Sequence, residues 1–242
     1  MKLRSSHRSV IADVQRYQVA RLDLLFSRFP MFDANAAIRS LATCGRLRIE
    51  QHAAGFDYVY LPGPKAPSAT SVARALTVHA HFGEAAGVRR LLTKAEFRQY
   101  FPTVFCDGLP QHYYVDLSHD VPRLGHIRVD VKPADVRHIT KQIRQLIHRH
   151  LQLSAFRSLV ASGQFEITLL VATEVKARVV RQSLGSLANA GIPLNVERVP
   201  LLLNLLAPLS CRDSPGTTSD VHSRDSLPDV EGLKRLLTRE QL

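Results

Sequence analysis

Asp116 and the run Asp130-Val131-Lys132 are the residues whose types and spacing could do chemistry. Each carboxylate falls on a predicted strand, His112 to Leu117 and Leu124 to Lys132, joined by the segment Ser118 to Arg123. Antiparallel pairing through that turn could bring the two acids close. Carboxylates offer the hard oxygen ligands that Mg2+ takes. Lys132 stands two residues from Asp130, so on a strand both point to one face. There it would position or activate water while the metal stabilises charge on a scissile phosphate. The catalytic candidates are therefore Asp116, Asp130 and Lys132. The metal candidates are Asp116 and Asp130, with Mg2+ as the cofactor if the protein is a nuclease. The plainer reading pairs Asp116 with a basic neighbour and leaves Asp130 as a strand-end acid. The triplet is short and arises often by chance.

Other chemistries find no support. No glycine-rich phosphate loop occurs, and the Ser183 to Gly191 stretch lacks a nucleophile-elbow pattern. His79 and His81, like His148 and His150, are two apart on predicted helices, a spacing that does not share one face easily. No zinc site is expected from them. Cys44, Cys106 and Cys211 are far apart and odd in number, which argues for reduced thiols and a cytoplasmic location.

The residues able to meet a polyanion lie earlier, from Phe32 to Pro62. Asp33 is a candidate cap for a helix whose Ala37, Ile38 and Leu41 recur at helical spacing. Gly45 suits the left-handed residue that ends such a helix. Leu47 to Gln51 and Phe56 to Leu61 read as strands with Gly55 at the turn. Helix, turn and hairpin in that order suggest a winged helix. Its outer face carries Asn35, Arg39, Ser40 and Thr43, and Arg46 and Arg48 begin the wing. Such side chains hydrogen-bond base edges or phosphates. An ordinary helix-and-hairpin unit with solvated polar groups is the alternative.

The composition agrees with a polyanionic partner. The chain has 242 residues, 45% of them hydrophobic, and a net charge of +11. Its isoelectric point is near 10.1. A field of that sign favours double-stranded DNA, although solvated helix faces account for part of it. The longest apolar stretch, Val199 to Leu209, is interrupted by Asn204 and Pro208 and is too short to span a bilayer. No membrane partner is expected.

The supporting elements follow in order. Residues 1–9 read as a basic arm, and Val10 to Tyr17 and Arg21 to Phe29 as helices. Pro62 to Ser68 reads as a linker. Beyond it come a helix from Thr70 to Phe82 and a second one opened by the capping box Thr93-Lys94-Ala95-Glu96. A short strand, Thr103 to Cys106, precedes the two acid-bearing strands. A long basic helix runs from Asp135 to about Ser162, broken near Leu153 to Ala155. Its Arg137, Lys141 and Arg144 line one face, suited to tracking a phosphate backbone, over a core of Ile139, Ile143, Leu146 and Ile147. Phe165 to Thr173 is a nearly continuous apolar run, as in a strand buried on both faces. A helix from Glu174 to Ala190 and a strand from Leu194 to Val199 complete the core. Ser210 to Ser226 is polar enough to be disordered, and Leu227 to Leu242 could form a terminal helix.

From about Thr93 to Val199 this order of helix, three strands, helix and strand resembles the restriction-endonuclease-like core. The whole arrangement resembles the replication-relaxation family of plasmids and mobile elements. The resemblance is carried by the Phe32 to Pro62 unit, the helix Leu76-Thr77-Val78-His79, Tyr114-Val115-Asp116, Arg128-Val129-Asp130 and Phe165 to Arg178. It implies DNA binding in replication, mobilisation or transcriptional control of such elements. In that pattern an acid is expected two residues before Asp130. Here the position is Arg128, which tilts the reading towards a non-catalytic fold.

The fold class expected is α+β/α/β, an N-terminal winged helix followed by a mixed α/β restriction-endonuclease-like domain. The expected divisions are 1–62, a linker at 63–68, the nuclease-like domain at 69–209 and a tail at 210–242. The function expected is DNA binding. A magnesium-dependent nuclease and a non-enzymatic interaction protein are the alternatives. A homodimer and a protein partner on the C-terminal helix remain open.

Overall fold

Val10, Val14 and Tyr17 recur at three- and four-residue steps and form the buried side of the first helix, α1 (Ser5–Tyr17). Helix therefore begins inside the segment expected to be a basic arm. The computed structural model describes residues 4–29, 31–84, 88–105, 112–131, 136–185 and 191–210, without the side chains of 31–33, 84 and 208–210. After α1 come β1 (Val19–Arg21), α2 (Leu22–Arg28) and α3 (Met31–Thr43). Asp33 lies within α3, which starts two residues earlier, so it does not occupy the cap position expected of it. Gly45 ends the helix with φ +69°. The amides of Gly45 and Arg46 donate back to the carbonyls of Ala42 and Leu41 at 3.0 and 2.8 Å. A residue with a Cβ would resist that left-handed geometry.

β2 (Arg48–Gln51) and β3 (Asp57–Tyr60) form an antiparallel hairpin, and β1 pairs with the other side of β3. The three-stranded sheet thus has the order β1-β3-β2. Leu47 and Val59 close a small core with Val10, Val14, Leu25, Ile38 and Leu41.

α4 (Ala69–Glu84) packs against both sheets found among the described residues. Val72, Leu76 and Phe82 share a core with Tyr17, Val19, Tyr58 and Tyr60, and also with Leu91, Tyr114, Ile127 and Val129. The His79 ring accepts a hydrogen bond from the Arg21 amide at 3.0 Å and lies 4.6 Å from the Tyr17 ring. Residues 62–68 therefore separate two sheets, but both sheets pack on one helix, and residues 4–210 belong to one compact unit.

The larger sheet is built from β4 (Arg89–Leu91), β5 (Tyr113–Asp116), β6 (Arg123–Val129), β7 (Phe165–Val171) and β8 (Leu194–Arg198), in that spatial order. The first three are antiparallel neighbours, and β6, β7 and β8 are parallel. α5 (Lys94–Tyr100) follows β4, opened by Thr93 and Glu96 hydrogen-bonded to each other's backbone. α6 (Val136–Gln152) and α7 (Ser154–Ala161) connect β6 to β7, with the break at Leu153. α8 (Glu174–Leu184) connects β7 to β8, and α9 (Pro200–Ser210) follows. Every residue of β7 is buried, as its apolar run predicts for a central strand. Ile139, Ile143, Phe156 and Val180 fill one side of the sheet; α4 and α9 cover the other through Leu76, Leu202 and Leu205.

One close approach pins β5 to β6. A Cβ on Gly125 would stand 2.0 Å from Cζ of Tyr114, whose ring lies across the glycine. The Tyr114 hydroxyl is hydrogen-bonded to Glu166 and, at 2.7 Å, to the Thr168 hydroxyl.

Three further expectations change. The strand at 103–106 is a turn over 102–104, where the Val104 amide donates to the Phe101 carbonyl at 3.1 Å. Val104 is buried in the core without joining the sheet. β6 ends at Val129, one residue before Asp130. Helix α9 occupies the stretch whose Asn204 and Pro208 read as interruptions. Pro200 is its first residue, a position where the missing N–H costs nothing. The tail at 211–242 and its terminal helix lie outside the described residues.

Candidate nucleic-acid interface and the separated acids

The register of β5 and β6 decides the fate of the acid pair. Asp116 stands opposite Arg123, beside the turn that joins the strands. Asp130 lies seven residues beyond Arg123, at the far end of β6. At roughly 3.3 Å per strand residue the two acids are about 23 Å apart along the sheet. They cannot share one cation, and the two-acid metal site expected of them does not form. Lys132, the third catalytic candidate, lies outside the described residues. Among the described residues no group of three or more His, Cys, Asp or Glu is placed to hold a metal ion.

Each acid has a basic partner. Asp116, 1% exposed, accepts from Arg89 Nε at 2.7 Å and from the Ser118 amide and hydroxyl at 2.9 and 2.6 Å. Burial alone would raise its pKa. The Ser118 and Arg89 hydrogen bonds outweigh that and hold it below the ordinary value. Asp130 forms an ion pair with Lys176, which sits on the buried face of α8 with Ala177, Val180 and Leu184. Lys176 belongs to no motif in the sequence. Its spacing from Val180 and Leu184 is the signal that places it among core positions.

The α3 face is arranged as its spacing implies. Ala34, Ala37, Ile38 and Leu41 are buried, while Arg39 and Thr43 are exposed and Asn35 and Ser40 half-buried. Arg39 Nε donates to Asn35 Oδ1 at 3.1 Å, and the Thr43 hydroxyl to the Arg39 carbonyl at 2.9 Å. Arg46 and Arg48 are exposed at the start of the ribbon. No carboxylate among the described residues is ion-paired with Arg39, Arg46 or Arg48. The ribbon also carries an acid. Glu50 accepts hydrogen bonds from the hydroxyls of Tyr58, at 2.7 Å, and Tyr60, and these lower its pKa.

The α6 candidates divide in the same way. Arg137, Lys141 and Arg144 are exposed, and Ile139, Ile143, Leu146 and Ile147 are buried. Arg144 also ties α6 to α8 by donating to the Ser183 carbonyl at 3.1 Å. Beneath this face His150 Nδ1 contacts the Leu146 carbonyl at 2.6 Å, and a carbonyl can only accept. His150 Nε2 is then the acceptor for the Tyr113 hydroxyl. Burial keeps His150 and the fully enclosed His126 neutral, both pushed below the ordinary histidine value.

No family model, curated protein or solved structure matches the chain. Among the described residues the coarse class is mixed α/β with two sheets, and no helix is long and apolar enough to cross a membrane.

Proposed function

We propose that this chain is a DNA-binding protein whose residues 5–60 act as a winged helix. The order α1-β1-α2-α3-β2-β3 supports that reading, with Arg39 and Thr43 exposed on the helix that precedes the ribbon. The observation that carries the proposal is the two-sidedness of α3. Four apolar residues face the core, while Arg39 and Thr43 face solvent next to exposed Arg46 and Arg48. A helix presenting an arginine and hydroxyls can enter a major groove, and cations at the ribbon can hold the flanking phosphates. The net charge of +11 supplies the attraction that such contacts require.

In this reading the larger sheet is a degenerate restriction-endonuclease-like core that has exchanged metal chemistry for ion pairing at Asp116 and Asp130. The exposed face of α6 is a second phosphate contact. The biological setting we infer is replication, mobilisation or transcriptional control of a plasmid or mobile element.

Binding titrations on specific and random duplexes test the reading. Arg39→Ala is expected to reduce discrimination between them. Lys141→Ala is expected to weaken binding to both and to reduce the salt slope by about one. An Arg39→Ala protein that discriminates as well as the wild type removes groove reading by α3.

A further inference from the structure

β2 is an edge strand. β3 pairs with one side of it, and among the described residues no strand lies on the other. All four of its residues are exposed, and Ile49 among them is 42% exposed. An apolar side chain beside an unpaired backbone is a template for another strand.

The ladder shows which backbone groups are open. The His52 amide donates to the Phe56 carbonyl at 2.8 Å, so these opposed residues are a hydrogen-bonded pair. Such pairs alternate along antiparallel strands. Glu50 opposite Tyr58 and Arg48 opposite Tyr60 therefore also turn their backbone groups towards β3. The amides and carbonyls of Ile49 and Gln51 point the other way, out from the sheet.

Charge selects what can pair there. Edge charges normally repel a second strand, but Arg48-Ile49-Glu50 is its own complement when the direction is reversed. Arg48 and Glu50 lie two apart and share a face. No carboxylate among the described residues is ion-paired with Arg48. Glu50 is held in place by the hydroxyls of Tyr58 and Tyr60, which also keep it ionised by lowering its pKa. A reversed copy of β2 centred on Ile49 sets Ile49 against Ile49 and each Arg48 against the partner's Glu50. Centred on Glu50, it sets Glu50 against the partner's Glu50, and like charges directly opposite destabilise a pair.

We propose that β2 pairs antiparallel with β2 of a second copy of this chain, about a twofold axis at Ile49. The two Ile49 residues exchange backbone hydrogen bonds, and two ion pairs between Arg48 and the partner's Glu50 flank them. The smaller sheets of both copies join into one sheet of six strands. The axis is perpendicular to that sheet, so the helices packed on the Val59 side, α1, α2 and α3, lie on the same side in both copies. For the DNA reading of α3, on which the dimer itself does not rest, this arrangement implies an inverted-repeat site. An edge of four residues is a small contact, so the dimer dissociates on dilution.

The test is sedimentation velocity of the full chain, free of nucleic acid, over a concentration series. Wild type is expected to pass from 27.0 kDa to twice that mass as concentration rises. Ile49→Pro is expected to stay monomeric. The Ile49 amide stands outside the ladder with β3, so proline there removes the donor to the partner and keeps the hairpin. Arg48→Glu and Glu50→Arg are each expected to stay monomeric alone, because like charges then face each other. Mixed in equal amounts they should form a dimer, since every opposed pair again has opposite charges. Recovery in the mixture also shows that both variants are folded. A wild type that stays monomeric throughout, a dimer that all three variants keep, or a mixture that stays monomeric overturns the proposal.

Discussion

The Lys176 ammonium and the Asp130 carboxylate form an ion pair between α8 and the end of β6, with side chains 5% and 3% exposed. An acid that the chain's motif would commit to a metal is committed instead to a lysine of the neighbouring helix. Removing one member of a buried pair strands the other in a poorly solvated place, at a cost of about 3–5 kcal/mol. Lys176→Met should therefore lower the unfolding free energy by about that amount in urea titrations. Lys176→Met with Asp130→Leu should recover a large part of the loss. Additive losses in the double variant would show that the two charges are not coupled.

Ile38 and Arg39 are adjacent in the chain and opposite in environment. Ile38 is 2% exposed in the core and Arg39 is exposed to solvent. Ile38→Ala is expected to cost about 2–4 kcal/mol of stability by the cavity it leaves. Arg39→Ala is expected to stay within about 0.5 kcal/mol of wild type. Chemical denaturation of the two variants side by side checks both values. Comparable losses would mean that Arg39 is held by the fold.

His79 and Glu96 are two of the groups that shape the response to acid. Burial first, then Arg28, pushes His79 down to about 3, so it stays neutral in the fold where an unfolded chain would charge it. Its contribution is present above about pH 6.5 and is lost as pH falls from there towards 3. Burial would raise Glu96, but hydrogen bonds from Arg16 and Thr93 hold it at about 2. Its contribution is present above about pH 4.5 and is lost as pH falls towards 2. Unfolding midpoints should drop through both windows. His79→Phe should make the fall through the upper one shallower, with His126 and His150 still contributing, even though it removes the acceptor for the Arg21 amide. Arg16→Ala should flatten the lower one and cost about 1–2 kcal/mol at pH 7. A midpoint constant from pH 7 to 4 in wild type would contradict these assignments.

Gly125→Ala places a methyl against the Tyr114 ring, which is enclosed and held at its hydroxyl by Glu166 and Thr168. Overpacking a ring that cannot withdraw should cost about 2–3 kcal/mol. Differential scanning calorimetry would show the loss, and an unchanged melting temperature would place the ring elsewhere.

Much of this architecture was legible from residue order, for reasons that differ by element. The α3 pattern separates core from solvent because a helix repeats every 3.6 residues and the apolar positions follow that period. β7 was legible because an unbroken apolar run of strand length fits a strand covered on both faces. β1 and β4 were not, since three residues are too few to show a period. Val104 and Phe105 look strand-like by composition, but Val104 is buried within the turn that follows α5 and Phe105 is half-buried just after it, and burial alone does not make a strand. The acid pair failed for a geometric reason. In a hairpin, residues beside the turn meet, and residues far along the second strand move away from it. Asp116 is beside the turn and Asp130 is at the open end. The plainer reading holds for Asp116, which pairs with Arg89; Asp130, read as a strand-end acid, stands just past the end of β6 and has in addition the partner Lys176.

The central claim is that the exposed edge of α3 and the start of the ribbon grip duplex DNA. Fluorescence anisotropy of a labelled duplex, titrated at low salt with wild type and with an Arg39→Ala/Arg46→Ala double variant, tests it most directly. Saturable binding by wild type is predicted, weakened about tenfold or more in the variant, with unfolding midpoints unchanged. No binding by wild type, or undiminished binding by a folded variant, would contradict it.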